Sequence, residues 1–111
     1  DALRGFPPDE TRIAMNDILA KLKARNLPVL VAGMRAPRNL GPDYIAAFDP
    51  VFGDVAREYD AVFYPFFLDG VAADPKLNQA DGIHPNRQGV DVIVGKIWPS
   101  VEQLIVKATA K

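Results

Sequence analysis

Apolar residues along the chain form two alternating patterns: repeats at helical spacing, and short uninterrupted runs typical of buried strands. In the N-terminal part, Ile13, Ile18 and Leu22 recur at helical spacing behind the Pro7–Pro8 pair, which suits a helix start. Residues 29–34 (VLVAGM) are then apolar without interruption, as in a strand buried on both faces of a parallel sheet. We therefore predict a helix followed directly by a strand.

The same alternation returns in the middle of the chain. Apolar residues at helical spacing within residues 44–55 predict a second helix, in which Pro50 and Gly53 favour a kink or a split. Residues 61–67 (AVFYPFF) predict a second buried strand, which Pro65 ends.

Two irregular segments and a last helix complete the pattern. Residues 35–42 and 68–85 carry Pro and Gly and predict loops, the second with one helical turn near its start. After Asn86, a good N-cap, helical spacing predicts a final helix that Pro99 breaks or kinks. Its predicted buried stripe consists of Val90, Ile93, Val94, Ile97, Val101, Leu104 and Ile105.

The order of these elements predicts the fold class. Strands that alternate with helices indicate an α/β fold with a parallel sheet. Two strands are too few for a stable parallel sheet covered on both faces. We therefore expect that something outside these residues completes the sheet, or that the count of strands is too low.

Composition and charge exclude several classes of function. The chain has 111 residues, 49% of them apolar and 24% charged, with a formal net charge of −1, so it has ordinary globular composition without the basic stripe of a nucleic-acid binder. No apolar run approaches the ~20 residues of a membrane helix. Cysteine is absent, which excludes disulfides and thiolate catalysis, and a single histidine argues against a transition-metal site. We predict no metal and no cofactor.

Asp81 and His84 are the strongest candidates for chemistry. The only histidine lies three residues after Asp81, with Gly82 between them and Pro85 directly behind. Gly82 lets the turn bring the carboxylate to the imidazole, and Pro85 keeps His84 out of the helical region. A carboxylate that accepts the Nδ1 proton leaves Nε2 to take another proton, as in the acid–base half of a nucleophilic triad. From the residues alone, a histidine with a local structural role and a two-residue metal site stay open.

Four stretches of the sequence resemble one enzyme family. DGIHPNRQG, followed by an apolar helix, resembles the last conserved block of the SGNH (GDSL-type) serine hydrolases, in which the Asp and His of the triad lie three residues apart. DALRGFPPDETRIAMNDILAKLKARN, MRAPRNLGPDYIAAFDPVF and VFYPFFLDGVA are similar to the branch with acyl-CoA thioesterases, lysophospholipases and arylesterases. The resemblance implies the C-terminal part of a flavodoxin-like three-layer α/β/α fold with a parallel sheet, incomplete in this chain.

The resemblance also implies roles for individual residues. Asp81 would be the triad acid that orients His84, and His84 the general base. Asp1 would close the Gly-x-Asn-Asp block of the family. The substrate-binding positions that the resemblance implies are Leu3, Arg4, Gly5, Phe6, Met34, Arg35 and Pro37.

The family's nucleophile is missing from this sequence. In the family the serine lies in a Gly-Asp-Ser block near the N-terminus, followed by an oxyanion-hole Gly and Asn, and none of these is present here. The single serine, Ser100, follows Pro99, and we interpret it as a helix-start residue. We expect residues 1–111 to be the C-terminal portion of one SGNH domain, whose N-terminal half supplies the Gly-Asp-Ser nucleophile. That half would be a separate chain after a nick at an Asn–Asp junction, or missing from the sequence in hand.

Completed in this way, the protein would be a serine esterase or thioesterase of the arylesterase, lysophospholipase or acyl-CoA thioesterase type. A small non-catalytic α/β binding domain and a carbohydrate-ester deacetylase of the same superfamily stay open. The apolar LRGF stretch and the region of Met34 favour acyl chains over sugars. We expect no nucleic-acid partner and no membrane span. The resemblance implies a periplasmic or secreted location, with the cytoplasm as the alternative.

Overall fold

The computed structural model describes residues 4–110, and the elements follow the predicted order. The helices are α1 (Pro8–Ala24), α2 (Pro42–Phe48), α3 (Val51–Glu58) and α4 (Arg87–Thr109), and the strands are β1 (Leu30–Ala32) and β2 (Val62–Tyr64). A 3₁₀ turn at Arg38–Leu40 precedes α2. The predicted α/β class is therefore confirmed.

The two strands pair in parallel but are shorter than their apolar runs. Each strand has three residues, and the register aligns Val31 with Phe63. The backbone N–H of Gly33 still donates to the carbonyl of Tyr64 at 2.7 Å. Pro65 follows and has no N–H, so the ladder ends there although apolar residues continue.

The core lies between α1, α3 and one face of the sheet. Its buried cluster consists of Leu19, Val31, Val51, Val55 and Ala56. Because side chains alternate along a strand, the neighbours of Val31 point to the opposite face, and α4 packs against the same two strands. The described residues therefore form three layers: helices, sheet, helix.

Pro50 and Pro99 affect their helices differently. Pro50 separates α2 from α3, which gives the split that the sequence allowed. Pro99 lies inside α4, which runs through 23 residues, so of the predicted break or kink the break is wrong. A long helix packed against both strands tolerates the missing backbone bond better than a short one, because more of its turns remain held by hydrogen bonds and packing.

The apolar stripe predicted for α4 is covered only in part. Ile93 is 5% exposed, as expected, but Val90, Val94 and Ile105 are 48%, 55% and 49% exposed. The predicted burial of these three is wrong for the described residues, since a sheet of two strands is narrower than the apolar arc of α4. Within residues 4–110, no helix combines the length and hydropathy needed to cross a membrane.

Candidate active site

A turn of residues 79–85 carries both candidate residues for chemistry. The turn is closed at its base, where the backbone N–H of Gln79 donates to the carbonyl of His84 at 2.7 Å. Asn78, directly before the turn, and Pro85, its last residue, form an isolated antiparallel bridge. The 79–85 turn is therefore a defined loop, held before α4 begins.

Asp81 organises this turn through both of its carboxylate oxygens. Oδ1 accepts the backbone N–H groups of Ile83 at 3.0 Å and His84 at 3.1 Å, and Oδ2 lies 2.5 Å from Nδ1 of His84. Gly82 has a φ of 75°, in the left-handed region that favours glycine, and lets the chain fold back. The predicted contact between Asp81 and His84 is present, and it places the proton of the neutral imidazole on Nδ1.

These hydrogen bonds favour the charged form of the carboxylate. The bond from the His84 side chain, followed by those from two backbone N–H groups, lowers the pKa of Asp81 from 3.8 to about 2. Asp81 is therefore ionised near neutral pH. A fixed negative charge at Nδ1 stabilises the imidazolium that forms when His84 takes a second proton.

The other side of the imidazole faces solvent. The His84 side chain is 67% exposed, and Nε2 has no hydrogen-bond partner within residues 4–110. Nε2 can accept a proton from a group that approaches from outside the turn.

Ser100, the only serine, is not placed to be that group. It lies inside α4, about 20 Å along the helix axis from Arg87. Its interpretation as a helix-start residue is wrong, because α4 does not restart after Pro99.

An apolar groove of about 970 Å³ lies beside the turn. Gly82 and Ile83 of the turn belong to its lining, so the groove reaches the residue next to His84 in the chain. The other walls come from α1, residues 34–38, α2, α3 and the segment after β2. They include Met15, Ile18, Met34, Phe48, Phe52 and Phe66.

Three of the predicted substrate-binding residues line this groove. They are Met34, Arg35 and Pro37. The guanidinium of Arg35 lies 4.6 Å from the centroid of the Phe66 ring, a stacking distance that holds this wall against the segment after β2.

The remaining predicted substrate-binding residues lie elsewhere. Arg4, Gly5 and Phe6 are exposed and are not part of the groove lining. The Tyr44 hydroxyl donates to the carbonyl of Phe6 at 2.5 Å, which ties this segment to α2. Two further predicted positions, Asp1 and Leu3, lie outside the described residues.

Asp49 is a residue of the site that the sequence did not reveal. Its Oδ1 accepts the backbone N–H of Ala36 at 2.7 Å, and its Oδ2 accepts from the guanidinium of Arg38 at 2.8 Å. Asp49 lines the groove between α2 and α3. Its partners are 13 and 11 residues away, so no local spacing could indicate the contact.

Comparisons with known proteins agree on one family. The sequence profile of the GDSL-like lipase/acylhydrolase family matches residues 1–92. The chain is 36% identical over 105 residues to "Esterase TesA" of Pseudomonas aeruginosa, covering 95% of this chain and 52% of that protein. It is also 36% identical over 105 residues to "Thioesterase 1/protease 1/lysophospholipase L1" of Escherichia coli K12, covering 95% of this chain and 50% of that protein. The chain thus spans about half the length of the curated relatives it matches.

The similarity extends to the fold. The crystal structure of AlinE4, described as an SGNH-hydrolase family esterase, matches with a TM-score of 0.71 and 43% sequence identity, over 93% of this chain and 55% of that chain. The predicted SGNH fold is confirmed. With a family match over most of its length and a shared fold, the chain belongs to the GDSL-like lipase/acylhydrolase family, the SGNH hydrolases.

Proposed function

We propose that this chain carries the acid–base pair of a serine esterase or thioesterase that hydrolyses acyl esters or thioesters. His84 is the general base and Asp81 orients it. The observation that carries the proposal is the 2.5 Å contact between Oδ2 of Asp81 and Nδ1 of His84, on an exposed imidazole that follows two residues lining an apolar groove. The names of the matched relatives, an esterase and a thioesterase/lysophospholipase, support the same class of reaction.

In the proposed reaction, a serine hydroxyl from the N-terminal half of the enzyme attacks the acyl carbonyl. Nε2 of His84 takes the hydroxyl proton as the new C–O bond forms, and Asp81 stabilises the imidazolium. Donors on the N-terminal half hold the tetrahedral oxyanion. His84 then gives the proton to the leaving alcohol or thiol as the bond to the acyl group breaks. Water repeats the sequence and releases the acid.

The surface of the described residues supports an N-terminal half as partner. In the described sheet of two strands, β1 has an edge without a neighbouring strand. On α4, Val90, Val94 and Trp98 are about half exposed. A further parallel strand beside β1 and a helix against α4 would cover both. We propose that the N-terminal half docks there and brings its serine to Nε2 of His84.

The groove supports an acyl substrate. Its lining is largely apolar, which suits an alkyl chain better than a carbohydrate. We propose that Met34, Arg35 and Pro37 contact the acyl group. Substrate contacts of residues 3–6 and a periplasmic or secreted location stay predictions.

The experiment uses the full-length enzyme, or both halves purified together. Intact-mass spectrometry first shows whether a polypeptide with Gly-Asp-Ser is present. Hydrolysis of p-nitrophenyl esters by His84→Ala is then compared with that by Gln88→Ala. Gln88 is an exposed residue of α4 whose side chain has no hydrogen-bond partner within residues 4–110. We expect kcat to fall at least about 10³-fold in His84→Ala and to stay unchanged in Gln88→Ala.

Near-full activity of His84→Ala would refute the proposed role of the imidazole. Binding of an acyl ester without hydrolysis, in a sample that contains the Gly-Asp-Ser polypeptide, would favour a non-catalytic binding domain instead.

A further inference from the structure

Asn86, the residue before α4, uses its backbone N–H and both ends of its side chain. Its backbone N–H donates to the carbonyl of Leu77 at 2.9 Å. Its Oδ1 accepts the N–H of Gly89 at 2.9 Å, which caps α4. Its Nδ2 donates to the carbonyls of Lys76 at 2.9 Å and Asn78 at 3.2 Å. One side chain therefore joins the start of α4 to the segment that leads into the 79–85 turn.

That leading segment is itself anchored in the protein. Asn78 is 8% exposed, and its Nδ2 donates to the carbonyls of Val71 and Asp74, each at 2.8 Å. Val71 has no exposed surface. Residues 76–78 therefore form a fixed base for the turn.

The first turn of α4 lies directly on this base. A Cβ added to Gly89 would overlap the carbonyl oxygen of Leu77, so no larger residue fits without a shift of the helix. The same helix packs against both strands. His84 is two residues before Asn86, so the bonds of Asn86 hold the backbone that leads from His84 into α4.

We propose that Asn86 is a positioning residue for His84, and that its two Nδ2 donors carry this role. This proposal rests on the proposed function of His84. An Asp or Ser side chain can supply the acceptor that caps a helix, whereas an amide supplies that acceptor together with two donors. Without the donors, residues 76–78 and the start of α4 are joined only by backbone bonds such as that from Asn86 to Leu77, and His84 shifts relative to the attacking serine. A misplacement of about 1 Å can lower the rate about 100-fold.

Two substitutions separate the roles of the Asn86 side chain. Asn86→Ser and Asn86→Asp both keep an oxygen that can cap α4, and both remove the two Nδ2 donors; the Asp carboxylate has no donor, and the Ser hydroxyl has a single one in place of two. Asn86→Asp also adds a negative charge at the N-terminus of the helix, where such a charge favours folding. The matched controls are Gln88→Ser and Gln88→Glu, because Gln88 is an exposed amide in the same helical turn with no partner within residues 4–110.

The first measurement is the steady-state hydrolysis of a p-nitrophenyl ester by the full-length enzyme, normalised to the folded fraction. We expect kcat to fall about 10- to 100-fold in both Asn86 variants, with KM within about threefold, because the reacting groups are misplaced while the groove is intact. The Gln88 variants should keep the wild-type kcat. A purely structural role of Asn86 would lower only the folded fraction.

The second measurement does not depend on catalysis. We expect the Nδ1 proton of His84, in its bond with Asp81, to give a downfield proton NMR signal that is assigned by its loss in His84→Ala. We expect the signal to shift or broaden in Asn86→Ser and to stay in place in Gln88→Ser.

The outcomes separate this proposal from the proposed function. A wild-type kcat together with an unchanged signal in both Asn86 variants would overturn the positioning role. A fall in kcat without any change in the signal would overturn it as well. If the signal shifts in Asn86→Ser but His84→Ala keeps its activity, Asn86 does position the imidazole and the proposed reaction is wrong.

Discussion

The 79–85 turn and the loop of residues 34–38 border the same groove but are held in different ways. In the turn, the carboxylate of Asp81 bonds to groups no more than three residues away. In the loop, the backbone of Ala36 and the guanidinium of Arg38 bond to Asp49, 13 and 11 residues away between two helices. The turn is thus organised by its own sequence, and the loop by the packing of α2 and α3.

This difference separates the proposed chemistry from the proposed substrate binding. Substitutions in the turn should change kcat, because they alter the proton acceptor. Substitutions that release the loop should change KM, because they alter the wall of the groove. The following predictions test that separation.

The largest effect is expected for Asp81→Asn in the full-length enzyme. An amide cannot stabilise the imidazolium as a carboxylate does and favours the wrong tautomer, so kcat should fall about 10⁴-fold with little change in KM. The control is Asp91→Asn, an exposed carboxylate of α4 with no ion pair within residues 4–110. Ester hydrolysis across substrate concentrations checks this, and a loss of less than tenfold would contradict it.

A pair of glycine substitutions in α4 tests how firmly the helix holds the turn. In Gly89→Ala the new methyl group would overlap the Leu77 carbonyl, so we expect the free energy of unfolding to fall by about 1–3 kcal/mol. In Gly95→Ala nothing lies within 4 Å of the new Cβ, so helix propensity should raise stability by about 1 kcal/mol. Urea unfolding measures both, and equal effects would refute the close contact.

Release of the loop should act mainly on substrate binding. Asp49→Ala removes the carboxylate that accepts the backbone N–H of Ala36. Because Ala36 is only 3% exposed, its N–H is left without a partner, and we expect the free energy of unfolding to fall by about 1 kcal/mol. With the wall displaced, KM for long-chain esters should rise about tenfold while kcat stays within about twofold. The control is Asp43→Ala, an exposed carboxylate in the first turn of α2. If kcat of Asp49→Ala fell as far as that of Asp81→Asn, the assignment of chemistry to the turn and of substrate binding to the loop would be wrong.

The smallest expected effect is a change in the pKa of Asp81 when its histidine partner is removed. Hydrogen bonds in the folded state lower its pKa from 3.8 to about 2, so this carboxylate favours folding above about pH 4, and that contribution is lost as the pH falls towards 2. Carbon-13 NMR of the carboxyl carbon should show a midpoint near 2 in the wild type. In His84→Ala, which removes the largest cause, the midpoint should move back towards 3.8. Equal midpoints in the two proteins would show that the imidazole does not perturb the carboxylate.

Sequence reasoning succeeded where a contact is local. The start of α1 at the Pro7–Pro8 pair, the N-cap at Asn86 and the split at Pro50 were predicted because each depends on the backbone chemistry of a few adjacent residues. The bond between Asp81 and His84 belongs to the same class, since Gly82 and the spacing bring the two side chains together.

Sequence reasoning failed where the outcome depends on what packs against a segment. The helical spacing of Val90 and Val94 predicted that both are buried, but their burial needs a wider sheet than the described residues form. Pro99 has the chemistry of a helix breaker, yet α4 passes through it because the helix is long and supported along the sheet.

The sequence alone determined the α/β class, the family and the pairing of the one imidazole with its carboxylate, because these depend on periodicity and on residues close together in the chain. Only the tertiary structure decided that Met34, Arg35 and Pro37 share a groove with the 79–85 turn, and that Asp49 holds their loop. It also decided that Asn86 ties this turn to α4 through the carbonyls of residues 76 and 78. Backbone carbonyls and distant partners have no sequence pattern of their own, and their proximity follows from the packing of helices against the sheet.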